Sequence, residues 1–255
     1  MLVDGRAASA EQLHRLALES YGHFTAMQVR GHRVRGLALH LARLDAASRE
    51  MFGSQADGDL IRGFIRQALD GTADASVRVY VLAPAADAQD RPSVTVTVRP
   101  PGELTPAEFR LRSVPYQRSL AHIKHLGDFG QTYYRLQAVS AGFDEALLTG
   151  PDGLISEGCI SNVGCLDGGT VVWPAAPMLA GITMQLLRQQ LTGAGLRWTQ
   201  RPIRLADLHT MTGMFVTSAR GIAPVVEVDD AKLPVAADSM ARLAQCYDAV
   251  PWDPI

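Results

Sequence analysis

Two lysines are present in the chain of 255 residues, and one of them lies in a motif that could do chemistry. Lys124 stands in the stretch His122-Ile-Lys-His-Leu-Gly-Asp-Phe-Gly, whereas Lys232 belongs to an acidic surface turn. A lysine amine can attack a carbonyl group and can accept a proton, so it can act as a nucleophile or as a general base. Because most lysines are solvated surface charges, Lys124 needs further residues to support such a role.

Three later segments add a carboxylate and two turns rich in small and hydroxyl-bearing residues. They are Glu157-Gly-Cys-Ile-Ser-Asn162, Leu179-Ala-Gly-Ile-Thr183 and Thr217-Ser-Ala-Arg-Gly-Ile222. The second segment runs into a helical pattern, so its amides lie at a helix amino terminus, where an anion is favoured. Taken singly, the turns are also explained by ordinary helix capping, and Glu157 by a position facing water after a hairpin.

Together and in this order, the four segments resemble the class IV aminotransferases, the pyridoxal 5′-phosphate (PLP) enzymes of fold type IV. That family includes branched-chain and D-amino-acid aminotransferases and aminodeoxychorismate lyase. The resemblance extends from Gly5 to the Pro224-Val225 segment. It implies an α+β fold of two domains like that of D-amino-acid aminotransferase, PLP as the cofactor, and a homodimer.

The resemblance also implies a role for each matching residue. Lys124 would hold PLP as a Schiff base and then move a proton at the substrate Cα, while Glu157 would contact the pyridine nitrogen. The implied phosphate contacts are Arg43, the Ile182 amide, the Thr183 hydroxyl and Ser218. The candidate substrate contacts are Phe24, Ala219, and two arginines whose forked side chains could bind a carboxylate, Arg78 and Arg118.

Some residues depart from the pattern of the branched-chain members. Thr25 and Gln28 replace charged residues, which predicts a less charged pocket wall and a preference for apolar or aromatic substrates. Phe129 stands where those members have a tyrosine, and Lys124-His-Leu126 is closer to the lyase branch. Three functions stay open: transamination between an amino acid and a 2-oxo acid, a lyase reaction that releases pyruvate, and catalytically silent PLP binding.

Hydrophobic periodicity predicts the elements that position these residues. A small α+β domain is predicted over residues 1–115, followed by a linker at 116–123 and a larger, cofactor-binding α+β domain over 124–255. The predicted elements of the first domain are a glycine-centred hairpin at 24–36, helices from Leu37 and from Leu60, and strands at 77–82, 94–98 and 109–112. In the second domain, a helix at about 129–141 is predicted to turn Tyr133, Leu136 and Val139 inward.

Composition argues against several other classes of partner. The formal net charge of −2 leaves no basic excess to neutralise nucleic-acid phosphates. The longest uncharged stretch, 168–187, is broken by prolines and glycine, and the amino terminus lacks a signal-peptide pattern, so no membrane segment is predicted. The three cysteines have no metal-ligand spacing and fit reduced thiols. The sequence therefore predicts a cytoplasmic enzyme without a metal site.

Overall fold

The computed structural model describes residues 1–84 and 92–255. The strands are, in chain order, β1 (Leu2–Val3), β2 (Arg6–Ala7), β3 (Gly22–Arg30), β4 (Arg33–Arg35), β5 (Ala75–Leu82), β6 (Ser93–Arg99), β7 (Phe109–Pro115), β8 (Glu145–Thr149), β9 (Ile155–Gly158), β10 (Asn162–Asp167), β11 (Thr170–Pro174), β12 (Trp198–Arg201), β13 (Gly213–Ser218), β14 (Gly221–Val228), β15 (Ala231–Lys232) and β16 (Trp252–Pro254). The helices are α1 (Ala10–Leu18), α2 (Leu37–Phe52), α3 (Gly58–Leu69), α4 (Phe129–Ser140), α5 (Ile182–Gly193) and α6 (Ala237–Asp248), with a 3-10 helix at Leu205–Thr210. Within residues 1–84 and 92–255, every helix is too short or too polar to cross a membrane.

The chain divides into two compact units by its contacts. Unit 1 comprises Met1–Gly102, Ile123–Gly127 and Pro251–Ile255, and unit 2 comprises Glu103–His122 and Asp128–Val250. The short segment that carries Lys124 therefore belongs to unit 1. The domain limits and the linker at 116–123 stay predictions of the sequence.

Unit 1 is built on a seven-stranded antiparallel sheet in the order β16-β4-β3-β5-β6-β1-β2. The predicted hairpin is confirmed, because Arg30 pairs with Arg33 across a two-residue turn. Both turn residues, Gly31 and His32, have positive φ, which matches the twist of the flanking strands. Helix α1 was not predicted, although Ser9 and Gln12 form a capping box at its start.

Helices α2 and α3, which the sequence predicted, pack on one face of the unit 1 sheet. Asp57 caps α3 by accepting hydrogen bonds from the amides of Asp59 and Leu60. Along β3, Met27 and Val29 are buried in the core beneath these helices, whereas the alternate residues are only partly buried. The sheet thus has one apolar face against the helices and one polar face.

Unit 2 contains a nine-stranded mixed sheet in the order β12-β11-β10-β13-β14-β7-β8-β9, with β15 on β14. The strand at 109–115, which we placed in the first domain, belongs to this sheet and pairs in parallel with both β8 and β14. Alternation predicted this strand but could not identify the strands that pair with it. The α+β class predicted from the sequence is confirmed by the helices and sheets of the two units.

Helix α4 packs with a different face from the one we predicted. Three apolar side chains expected to point inward are 46% to 55% exposed: Tyr133, Leu136 and Val139. The inner face is formed instead by Gly130, Tyr134 and Ala138, which are spaced four residues apart. A Cβ at position 130 would lie 2.2 Å from the Tyr116 ring, so glycine permits this close approach. The packed face therefore combines two small residues with Tyr134, and the three apolar side chains that we expected there lie outside it.

Candidate functional site

Lys124 lies beside Phe24 in unit 1. The Phe24 amide donates to the Lys124 carbonyl at 2.9 Å, and the Leu126 amide donates to the Gly22 carbonyl at 2.9 Å. These backbone bonds hold the lysine segment against β3. The Lys124 Nζ atom lies 4.8 Å from the centre of the Phe24 ring, within the range of a cation–π contact.

The polar face of the unit 1 sheet carries two of the expected substrate contacts. Phe24 is paired with Tyr80 across β3 and β5, and their rings stack at 5.6 Å. Arg78 lies on the same face and donates to the Tyr80 hydroxyl at 3.5 Å. Among the residues that the structure describes, Arg78 has no carboxylate partner. The sequence did not identify Tyr80, because alternation predicts the face of a residue but not its cross-strand neighbour.

Arg43 lies with Thr25 on the opposite, helix-covered face of β3. The Arg43 guanidinium donates from Nη2 to the Thr25 hydroxyl, and that hydroxyl is 2.7 Å from Nδ1 of His40. Thr25 is fully buried here. Because successive residues of a strand point to opposite faces, Thr25 cannot share a wall with Phe24, and our prediction that it lines a pocket wall is wrong.

Burial lowers the pKa values of Arg43 and of the two histidines near it, His40 and His23. It lowers the pKa of His40 well below its usual value, with a smaller contribution from the Arg43 charge. His23, whose Nε2 is 3.0 Å from the Ser48 hydroxyl, has its pKa lowered to about 4 by burial and, secondarily, by Arg43. Burial also lowers the pKa of Arg43 to about 10, so Arg43 stays charged at neutral pH while both histidines are neutral.

We expect His23 to make the protein less stable in acid. The unfolded chain takes up a proton at His23 near pH 6.5 and the folded chain only near pH 4, so acid favours unfolding across that window. The free energy of unfolding should fall by up to about 3 kcal/mol between these pH values. Urea unfolding of the wild type and of His23→Gln at several pH values measures this. Equal pH dependence in the two proteins would contradict the assignment.

In unit 2 the expected ring-nitrogen contact, Glu157, is buried and ion-paired. Its Oε1 accepts a hydrogen bond from Nη1 of Arg118 at 3.3 Å, and both side chains are 5% exposed. Its Oε2 accepts from the Leu179 amide at 3.2 Å. Arg118, which we expected to contact substrate, is therefore directed at Glu157.

The loop before α5 connects Glu157 to the start of that helix. Asn162 donates from Nδ2 to the Leu179 carbonyl at 2.7 Å. A Cβ at Gly181 would lie 1.9 Å from Oδ1 of Asn162, so only glycine fits at this helix cap. Asn162 belongs to a motif that the sequence singled out, but the structure gives it a specific task, which is to fix the loop between Leu179 and Gly181.

The expected phosphate contacts of unit 2 meet at the start of α5. Ile182 is the first residue of the helix, and its amide is one of those without an intrahelical partner. The Thr183 hydroxyl donates to the Ser218 carbonyl at 2.7 Å, which ties α5 to the two-residue turn after β13. Ala219, expected to contact substrate, is in that turn.

Glu145 supports the segment between Glu157 and Asn162, and sequence reasoning did not find it. Its Oε1 accepts from the amide of Ile160 at 2.6 Å and from that of Ser161 at 3.2 Å, and its Oε2 accepts from the Ser161 hydroxyl at 3.1 Å. Burial raises the pKa of this carboxyl, and the three hydrogen bonds act against that rise. A glutamate at the start of a strand gives no sequence signal for such a turn-binding role.

Each unit, taken by itself, has donors that fit an anionic group such as a phosphate. The helix amino terminus at Gly181 has no side-chain cap and no acidic residue in its first turn, which suits an anion. Among the described residues, the buried Thr217 hydroxyl and the buried Nε of Arg43 have no hydrogen-bond partner, so both can serve a further acceptor. Within the same residues, no group of histidine, cysteine and acidic side chains has the arrangement of a metal site.

Comparison with known proteins agrees with this description. The sequence model of the family described as amino-transferase class IV matches residues 22–228. A putative branched-chain-amino-acid aminotransferase of Methanocaldococcus jannaschii is 30% identical over 122 residues, which cover 47% of this chain and 42% of that protein. The chain thus matches less than half of the length of its curated relatives.

Two solved structures show the likeness over almost the whole chain. The 4-amino-4-deoxychorismate lyase of Pseudomonas aeruginosa has a TM-score of 0.82 and 26% identity, and 98% of each chain is covered. The branched-chain aminotransferase of Thermoproteus uzoniensis with norvaline has a TM-score of 0.84 and 20% identity, with 97% of this chain and 92% of that one covered.

Proposed function

Because this chain belongs to the class IV aminotransferase family, we propose that it is a PLP-dependent aminotransferase that moves an amino group between an amino acid and a 2-oxo acid. Lys124 is the proposed catalytic residue. The proposed cofactor contacts are Arg43, Lys124, Glu157, Ile182, Thr183 and Ser218.

One observation carries the proposal. The loop from Leu179 to Gly181 donates an amide to the buried carboxylate of Glu157 and leads directly into the uncapped amino terminus of α5. A small cofactor with a ring nitrogen at one end and a phosphate at the other needs a carboxylate and an anion site held at a fixed spacing. A single short loop, pinned by Asn162, provides that fixed spacing.

Glu157 and Lys124 would have different tasks in the reaction. When bound, PLP supplies an aldehyde that reacts with amines and a ring that withdraws electrons from the substrate Cα. Glu157 would hold a proton at the ring nitrogen, which requires an ionised carboxylate, and Arg118 provides the adjacent positive charge. The Lys124 amine would take the proton from the substrate Cα and return it later.

Substrate binding is proposed for Phe24, Arg78 and Ala219. The stacked pair of Phe24 and Tyr80 offers an apolar surface, and Arg78 beside it is available to a carboxylate. Arg118 stays a proposed substrate contact, and its Nη1 atom also pairs with the buried Glu157 carboxylate. The ring pair supports the proposed preference for apolar or aromatic amino donors. Arg78 would bind the carboxylate of such a donor.

A lyase that releases pyruvate is the second candidate function. It is favoured by Lys124-His-Leu126 and by the Pseudomonas aeruginosa lyase structure, which matches 98% of this chain at 26% identity. Both reactions begin when a bond to the substrate carbon that carries the amine is broken. The proposed catalytic and cofactor-binding residues can therefore serve either reaction. The substrate surface, rather than the lysine, would decide between them.

Spectra of the purified protein with PLP and candidate amino acids test the proposal. A transaminase converts the bound cofactor from its aldehyde form to its amine form when phenylalanine or leucine is added, and a 2-oxo acid reverses the change. Release of pyruvate from an aminodeoxychorismate-type substrate without that conversion would support the lyase instead. If PLP binds but no substrate changes the spectrum, the silent-binding function holds.

We also propose that the protein is a cytoplasmic homodimer. The family resemblance suggests the dimer, and the exposed apolar side chains of α4, including Phe129 at 82% exposure, are the kind of surface that a second copy covers. Sedimentation equilibrium measures the assembly, and a monomer at micromolar concentration would contradict it.

A further inference from the structure

Arg43 is held in a defined orientation by a hydrogen bond within unit 1. An arginine side chain has many rotamers, and ordering it costs free energy unless other contacts fix the guanidinium plane. In unit 1 that contact is the Thr25 hydroxyl, which accepts a hydrogen bond from Nη2. Thr25 is in turn 2.7 Å from Nδ1 of His40, which precedes Arg43 by three residues on the same face of α2.

The direction of these hydrogen bonds follows from the chemistry of the groups. A guanidinium can only donate, so the Thr25 oxygen is the acceptor for Arg43. The Thr25 hydroxyl proton then needs an acceptor, and among the described residues its other hydrogen-bond partner is Nδ1 of His40. With Nδ1 of His40 as that acceptor, the proton of a neutral His40 lies on Nε2. The lowered pKa of His40 agrees with a neutral ring.

We propose that Thr25 and His40 are positioning residues that orient Arg43 for the phosphate of the cofactor, through hydrogen bonds that run from Arg43 to Thr25 to His40. The inference rests on the proposed function, because it assigns Arg43 to that phosphate. The Arg43 Nε is buried and has no partner among the residues that the structure describes, so part of the fork stays available for an oxyanion. The sequence motif His40-Leu-Ala-Arg43 would thus supply both the arginine and the histidine at the end of its hydrogen-bond chain.

Thr25→Val tests the proposal, because it keeps the shape of the side chain and removes the hydroxyl. We expect the dissociation constant for PLP to rise about 10-fold, the size of effect typical for hydrogen bonds to charged groups. The dissociation constant for pyridoxal, which lacks the phosphate, should not change. Thr25→Ser retains the hydroxyl and should bind PLP like the wild type. Both constants come from fluorescence titration, without reference to turnover.

Ser48→Ala is the matched control. Ser48 also bonds a buried histidine between α2 and β3, namely His23, but it makes no hydrogen bond to Arg43. It should lower stability without changing the ratio of PLP to pyridoxal affinity. Equal weakening of both compounds by Thr25→Val would show a merely structural role and overturn the proposal, and so would unchanged PLP affinity.

The tautomer of His40 gives a second readout that does not need the cofactor. In protein labelled with 15N-histidine, His40 should show a proton on Nε2 and none on Nδ1 at pH 7, and Thr25→Val should shift the Nδ1 resonance. A proton on Nδ1 would overturn the proposal. If the wild type bound neither PLP nor pyridoxal, the proposed function would fail, and this spectrum would still decide the hydrogen-bond direction on which the positioning role depends.

Discussion

Replacing Lys124 with alanine should reduce turnover by about 10²- to 10⁴-fold, the contribution of a positioned general base. The same change should remove the bond between the chain and the cofactor aldehyde, because the ε-amine is the group that forms it. Borohydride reduction followed by peptide mass spectrometry measures the bond, and steady-state kinetics measures turnover.

Lys232→Ala is a matched control for this experiment, because Lys232 is the other lysine of the chain. Its side chain is 79% exposed and forms an ion pair with Glu227. The control should keep both the reducible bond and full turnover. A cofactor adduct that persists in Lys124→Ala, or that disappears in Lys232→Ala, would remove Lys124 from its assigned role.

The second large effect is expected for Glu157→Gln. Glutamine can still accept the Leu179 amide but carries no charge, so the ring nitrogen would lose its anionic partner. Loss of one electrostatic contact of this kind typically slows a reaction about 10²- to 10³-fold. The rate of proton removal from Cα, measured by deuterium exchange, should fall by that factor. PLP affinity should change little, whereas Arg43→Ala and Thr183→Ala should weaken it.

Glu227→Gln controls for the loss of an ion pair in the same unit. Glu227 is a buried carboxylate that pairs with Arg110 and Lys232, and it has no proposed role in the reaction. The variant should leave deuterium exchange at the wild-type rate. If Glu157→Gln lost the cofactor as readily as Arg43→Ala, Glu157 would be a structural residue.

Local patterns predicted most elements of unit 1. The hairpin at Gly31-His32 and the helices that begin at Leu37 and near Leu60 have signals within a few residues: turn glycine, apolar spacing and the Asp57 cap. Such signals act over one turn of helix or one strand pair, so they can be recognised without knowing the fold. The residues proposed for the cofactor came from motif resemblance, and their roles stay predictions.

Contacts between distant segments could not be predicted in the same way. The sequence indicated a strand at 109–112, but the choice of β8 and β14 as its neighbours depends on long-range pairing. Helix α4 likewise has apolar residues on more than one side, so periodicity alone could not choose the face with Ala138 over the face with Leu136. Packing against Tyr116 made that choice.

The sequence by itself determined the family, the fold class and the identity of Lys124, Glu157 and Arg43 as candidates, because residue types and their order along the chain are sufficient for these. Tertiary structure decided what each side chain contacts. It joined Arg118 to Glu157 from 39 residues away and placed Thr25 against Arg43 and His40 rather than beside Phe24. Hydrogen bonds act over about 3 Å between atoms, whereas the sequence records only separation along the chain, so partners of this kind become visible only once the strands and helices have packed.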